Sequence, residues 1–298
     1  MKRRSTTARP PRLRRRAAAL CLLALYCHTP ATQALQQGRT LLGVRLGAET
    51  SAWLNEVEAG LGREVYAEFA ELDPEGSAAD YTLGASYLTR AGAAVLRVDE
   101  SFRARGARQT EAVIAHELLH LRLRVRGFPL FLFSPTVQTR RGPAGEVEQS
   151  NVNDLVSMIE HRVFAAEMRR TGFDRLIDLT NGLEAARRAG RSEDGQADVL
   201  NYARALLEWD DARARDELAA VYRANGWTRS LEGGRRLAEI IRASGIRTPA
   251  GVAPVFLRCM TVLYGAPFRV EPDARFALAR IYPQMLIYAE RPRGRRRP

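Results

Sequence analysis

Histidine and lysine are nearly missing from this chain of 298 residues, which holds four histidines and a single lysine, Lys2. Cysteine is almost as rare, at Cys21, Cys27 and Cys259. The first two lie in an N-terminal segment that reads as removable, so an internal disulfide and a four-cysteine metal site are both excluded. Cys259 sits within the apolar stretch PVFLRCMTVLY, where a buried core thiol is expected. No apolar run approaches the roughly 20 residues needed to span a bilayer, which excludes an integral membrane span. Acidic residues are absent before Glu49 and after Glu290. Residues 1–16 therefore hold eight uncompensated basic residues and residues 291–298 hold five, leaving 33 basic against 34 acidic residues between them. The formal charge of +12 thus belongs to the two ends. A nucleic-acid-binding fold would carry its basic face on the body, so no nucleic-acid partner is expected.

The first 34 residues have the order of a cleavable targeting signal. An Arg-rich stretch precedes the apolar run Ala17–Tyr26, followed by Pro30 and the small-residue end Thr32-Gln33-Ala34. Export after cleavage at Ala34 is the expected fate. The long basic stretch with Ser5, Thr6 and Thr7 also fits a plastid or mitochondrial transit peptide. Residues 291–298 read as a basic, disordered tail.

Against this scarcity of histidine, two of the three outside the leader fall in His116-Glu117-Leu118-Leu119-His120. On a helix, residues four apart share a face, so both imidazoles can reach one Zn2+ ion. Glu117 is placed to act as general base on a water at that ion. The helix predicted from about Thr110 to Arg126 has a main apolar stripe of Ile114, Leu118, Leu121 and Val125. His116 and His120 lie more than a third of a turn away, beside Val113 and Leu123, as suits ligands lining a cleft above a core.

A catalytic zinc needs a third protein ligand and keeps a further position open. The helix predicted over Asn151 to Arg170 offers Asp154, Glu160, His161 and Glu167. Its apolar stripe is Val152, Leu155, Val156, Ile159, Val163 and Ala166. Glu160 lies roughly 90° from the stripe's centre, whereas His161 points nearly opposite. If the stripe packs on the HExxH helix, Glu160 is the favoured third ligand. His161, the last histidine, is the alternative if this helix is buried on both faces. Glu167 is a surface carboxylate or a partner to a ligand.

The remaining segments give coarser expectations. Residues 50–72 show helical spacing of Trp53, Leu54, Val57, Leu61, Val65 and Phe69, closed by the turn Asp73-Pro74-Glu75-Gly76. Tyr81–Thr89 and Ala93–Val98 read as a hairpin, with Ala94–Val98 as a candidate sheet edge along the cleft. Gly127–Phe133 is a dense apolar segment, read as a core plug, and Arg140–Pro143 as a turn. Helices are predicted over Leu200–Leu207, Asp211–Tyr222, Leu231–Ala243 and Val252–Tyr264, with no recognisable chemistry in 171–290.

A strand pair before an HExxH helix, with a glutamate on a later helix, resembles a zinc metallopeptidase of the gluzincin type. The resemblance covers roughly residues 80–170. It implies a zincin-like catalytic domain over 35–170. With the targeting signal over 1–34, the helical lobe over 171–290 and the tail read from the residues, the expected fold is mostly helical α+β with a small sheet before the HExxH helix. The resemblance also implies His116, His120 and Glu160 as ligands, Glu117 as base, Zn2+ as cofactor and a peptide or protein as substrate. The chain departs from the thermolysin-like pattern, since Ile159 precedes Glu160 and Phe164 stands where an aspartate is wanted. No glycine-and-histidine extension follows His120, which disfavours the metzincin branch. A fold retained only for binding or scaffolding, and a metal-dependent hydrolase of non-peptide amides, are the alternative readings.

Overall fold

A computed structural model describes residues 38–72, 83–89, 92–134, 143–177, 183, 186–187, 195–275 and 283–289. The predicted targeting signal, the predicted turn at 73–76, residues 140–142 and the basic tail lie outside them. By packing, the chain divides into 1–39 and Thr40–Pro298, and every described helix and strand belongs to the second unit. That unit is a mixed α+β structure, mostly helical, with small sheets.

After a two-stranded ribbon, β1 (Thr40–Leu41) with β2 (Val44–Arg45), comes helix α1 (Ala48–Leu61). The predicted helix over 50–72 is thus too long. Gly62 takes a left-handed conformation, φ 68°, and its N–H caps the Glu58 carbonyl, a stop that glycine adopts without steric cost. Val65 and Phe69, which continue the helical spacing on paper, belong instead to strand β3 (Val65–Ala70). Their β-branched and aromatic side chains suit a pleated, half-buried surface.

Strand β3 pairs in parallel with β5 (Ala94–Asp99), and β4 (Gly84–Leu88) pairs antiparallel with β5. The predicted hairpin is present, its turn closed by the bond from Gly92 N–H to the Thr89 carbonyl. The edge assignment changes, however. Strand β5 is central and buried, and β4 is the edge strand, with no further strand paired to its outer side among the described residues.

The HExxH segment lies on α2 (Ala107–Val125), where Gly127, at φ 84°, follows the helix end. Val113, Ile114, Leu118 and Leu121 bury one side of α2 against α1 and the β3–β5–β4 sheet. Ala112, Ala115, Leu119 and Leu123 bury the other side in a second core. That second core joins α3 (Pro143–Thr171), α7 (Val252–Tyr264) and a second sheet.

The second sheet was not anticipated. Strand β6 (Leu130–Phe133) pairs in parallel with β8 (Gln284–Ala289), and β7 (Phe268–Pro272) pairs antiparallel with β8. The segment read as a core plug is therefore both strand and plug, with Phe128, Phe131 and Phe133 buried. The final described residues of the predicted helical lobe return as strands to the half that carries the HExxH helix. Between them lie α4 (Gln196–Glu208), α5 (Ala212–Asn225) and α6 (Thr228–Ala243), near their predicted positions and sharing a third core around Tyr222 and Trp227. Cys259 is buried as expected, its thiol pushed up to about 12 by burial. No helix among the described residues is long and apolar enough to cross a membrane.

Phe131, fully buried, stacks on Phe256 of α7 with ring centroids 4.0 Å apart. Phe131→Ala should cost about 3–5 kcal/mol in chemical denaturation, as expected for loss of a buried aromatic whose site cannot fully collapse.

Candidate metal centre

Three imidazoles meet where α2 and α3 face each other. The Nε2 atoms of His116 and His120 are 3.2 Å apart, those of His120 and His161 3.2 Å, and those of His161 and His116 3.1 Å. These three residues form the one potential metal-binding group of histidine, cysteine and carboxylate side chains among the described residues. Phe164, one turn beyond His161 on α3, sets its ring edge-on or tilted against all three imidazoles at centroid distances of 5.0–5.5 Å.

Glu160, favoured as third ligand by its angle on the helix, does not join this convergence. Its Oε2 lies 2.7 Å from His120 Nδ1, the nitrogen facing away from the cluster, and its other oxygen pairs with Arg124. His161 occupies the place instead. The preference for Glu160 holds only if α3 buries one side. Its apolar stripe does pack in the core with α2, but Asp154 and His161, on the face predicted to be outermost, meet α4. Arg204 Nη2 donates to Asp154 at 2.8 Å, and His161 Nδ1 lies 2.7 Å from Glu208 Oε1. With both faces covered, His161 turns into the interior. Glu167 lies 3.5 Å from Arg122 and contributes to an ion-pair group with Glu56, away from the imidazoles.

The electrostatics follow from burial. Glu160 is only 2 % exposed; burial raises its carboxyl, but Arg124 and His120 outweigh this and hold it below the usual carboxylate range. Burial likewise raises Glu208, whereas His161 and Arg204 bring it below its ordinary value. A carboxylate accepts hydrogen bonds, so Glu160 and Glu208 favour the tautomers of His120 and His161 that carry the proton on Nδ1. Their Nε2 atoms then present lone pairs toward one another. His116 is held well below the usual imidazole range, first by burial and then by the neighbouring His161 and His120, so it favours the neutral form. With the His116 proton on Nδ1 as well, three lone pairs would meet, an arrangement that a cation among them relieves.

The spacing suits zinc. Nitrogens 3.1–3.2 Å apart form a nearly equilateral triangle. A point about 0.9 Å off its plane is about 2.05 Å from each corner, which matches the Zn–N distance of ~2.0–2.1 Å. Three nitrogen donors leave one tetrahedral position open, and the buried Phe164 ring closes one side of the cluster.

Glu117 points at the same place from α2, with Oε1 4.0 Å from His116 Nε2. It is 6 % exposed, and burial raises its carboxyl despite the opposing influence of His120 and of the Ser86 hydroxyl. Ser86 belongs to the edge strand β4, which approaches α2 closely because residue 84 is glycine. A Cβ at Gly84 would stand 2.8 Å from Val113 Cγ1 and 2.9 Å from Glu117 Cγ.

Three participants escaped the sequence reading: Arg124, Ser157 (whose Oγ lies 3.0 Å from His161 Nε2) and Glu208. Asp154, Ser157 and His161, at helical spacing, form a polar row opposite the apolar stripe, and that row was the available sign of a second buried face. Comparison with protein-family models, curated proteins and solved structures finds no match to this chain.

Removing Arg124 strands an ionised carboxylate in the interior. Arg124→Met should therefore destabilise the fold by about 3–5 kcal/mol in denaturant titration, more than a surface Arg→Met change would.

Proposed function

We propose that the protein is a zinc-dependent hydrolase of peptide bonds, with His116, His120 and His161 as ligands and Glu117 as general base. The observation that carries this reading is the convergence of three Nε2 atoms at zinc-ligand spacing, beside a buried carboxylate in the HExxH position. The ligand set differs from that implied by the gluzincin resemblance, because the third donor is a histidine and Glu160 supports His120 from outside. The remaining parts of the resemblance, the HExxH helix and a sheet edge beside it, support a metallopeptidase-like reading.

Bound zinc would supply a Lewis acid that polarises a carbonyl and makes a bound water more acidic. The chain's own residues account for the rest. Glu117, with its carboxyl raised by burial, is suited to take a proton from the attacking water and return it to the departing amine as the C–N bond breaks. Among the described residues, strand β4 leaves its outer backbone groups without a strand partner beside that carboxylate. An extended peptide could add there as a further antiparallel or parallel strand, a mode that recognises main chain and therefore favours peptides over other amides. The targeting signal read at 1–34 supports action outside the cytoplasm, or in an organelle under the alternative reading.

Elemental analysis and a peptide-library assay test this together. About one zinc per chain is expected in wild type and in Glu117→Gln, with zinc lost in His161→Ala. Hydrolysis should fall by about 10²–10⁴ in Glu117→Gln while the metal is retained. Wild-type protein that takes up no zinc on reconstitution contradicts the proposal. A zinc protein that cleaves no peptide in the library moves the reading to the non-peptide amide or the binding scaffold.

A further inference from the structure

The residues after 171 carry no motif, yet α4 reaches the imidazole cluster through one side chain. We propose that Glu208 is a positioning residue of the metal centre: it fixes the proton of His161 on Nδ1 and so makes Nε2 the donor that completes the three-histidine set. This inference rests on the zinc reading.

Glu208 Oε1 lies 2.7 Å from His161 Nδ1, and its side chain is only 7 % exposed. Imidazole has two chemically similar nitrogens, and the one that binds a metal is set by the hydrogen bond the other makes. Without an acceptor at Nδ1, His161 is free to carry its proton on Nε2, the atom that meets His116 and His120. The Ser157 hydroxyl, 3.0 Å from that same Nε2, can accept from it or donate to it and so does not choose the tautomer, which leaves the choice to the partner at Nδ1.

A contact serving only to join α3 and α4 has a different expected character. Burying a carboxylate is costly, and two helices are joined more cheaply by apolar side chains. The other neighbour of Glu208 stands farther off, with Arg204 Nε 3.8 Å from Oε2, and that oxygen has no hydrogen-bond partner among the described residues. The short bond to His161 is what its position delivers. Glu160 makes the same contact with His120 from within α3. The two carboxylates therefore hold two of the three ligands from different helices, and the part of the chain after residue 171 is a structural component of the site.

The test compares the full protein with Glu208→Ala, Glu208→Gln and the control Asp154→Asn, which loosens the other polar bridge between α3 and α4 without touching an imidazole. Two quantities are read: zinc affinity by competition with a chromogenic chelator, and the protonated nitrogen of His161 by long-range ¹⁵N NMR of the metal-free protein. Glu208→Ala should weaken zinc binding about 10–100-fold and move the His161 proton toward Nε2. Glu208→Gln, which keeps an acceptor oxygen, should retain the Nδ1 proton and lose less affinity; it also serves if the alanine variant does not fold. Asp154→Asn should leave both readouts at wild-type values even if its melting temperature drops. An unchanged His161 tautomer and unchanged affinity in Glu208→Ala would overturn the proposal. Failure of wild type to bind zinc would sink the zinc reading instead, while the tautomer measurement would still decide whether Glu208 governs His161.

Discussion

Three imidazole nitrogens facing one another across about 3 Å is the constraint around which this half-buried site is organised. Unprotonated nitrogens at that distance repel one another, and a cation among them relieves the repulsion. The protein places Glu160 and Glu208 on the outer nitrogens of His120 and His161, which favours the unprotonated form of their inner ones. Glu160 is in turn paired with Arg124, and Arg204 stands 3.8 Å from Glu208. The polar shell is thus a chain of requirements running outward from the cluster, and each buried charge is answered by the next.

The packing makes that chain possible. Helix α2 is buried on both sides, against the β3–β5–β4 sheet and against the core that includes α3 and α7, which fixes the two HExxH histidines to within the play of a packed helix. Helix α3 is also covered on two sides, so a residue on its second face can look inward. The β6–β8–β7 sheet ties the chain's last described segment to the strand that directly follows the HExxH helix, so the two ends of the site-bearing region share one core. Gly84 then lets the edge strand approach Glu117 at a distance that any larger residue would forbid.

Much of this was legible in the sequence wherever a single period governs. The HExxH helix, its stop at Gly127, the β4–β5 hairpin and the helices after residue 196 follow from local spacing and breakers. The failures share a cause, which is that local patterns do not say what packs on the second face. His161 ranked behind Glu160 because only one buried face was assumed for α3, and α4 covers the other. Trp53 through Phe69 kept a helical rhythm across Gly62, although the chain reverses its conformation there. Strands β7 and β8 were missed because their stability comes from β6, which lies more than 130 residues earlier in the chain and is invisible to a window of neighbours. Glu208, 47 positions from His161, is an ordinary helix carboxylate until the fold brings the two together.

X-ray absorption at the zinc edge of the reconstituted protein addresses the central claim most directly, because it counts and identifies the donors. Three imidazole nitrogens at about 2.0–2.1 Å and one further light-atom donor from solvent are the expected shell. A shell of two imidazoles with a protein carboxylate, still seen when His161 is replaced by alanine and lost when Glu160 is, would contradict it and restore Glu160 as the third ligand.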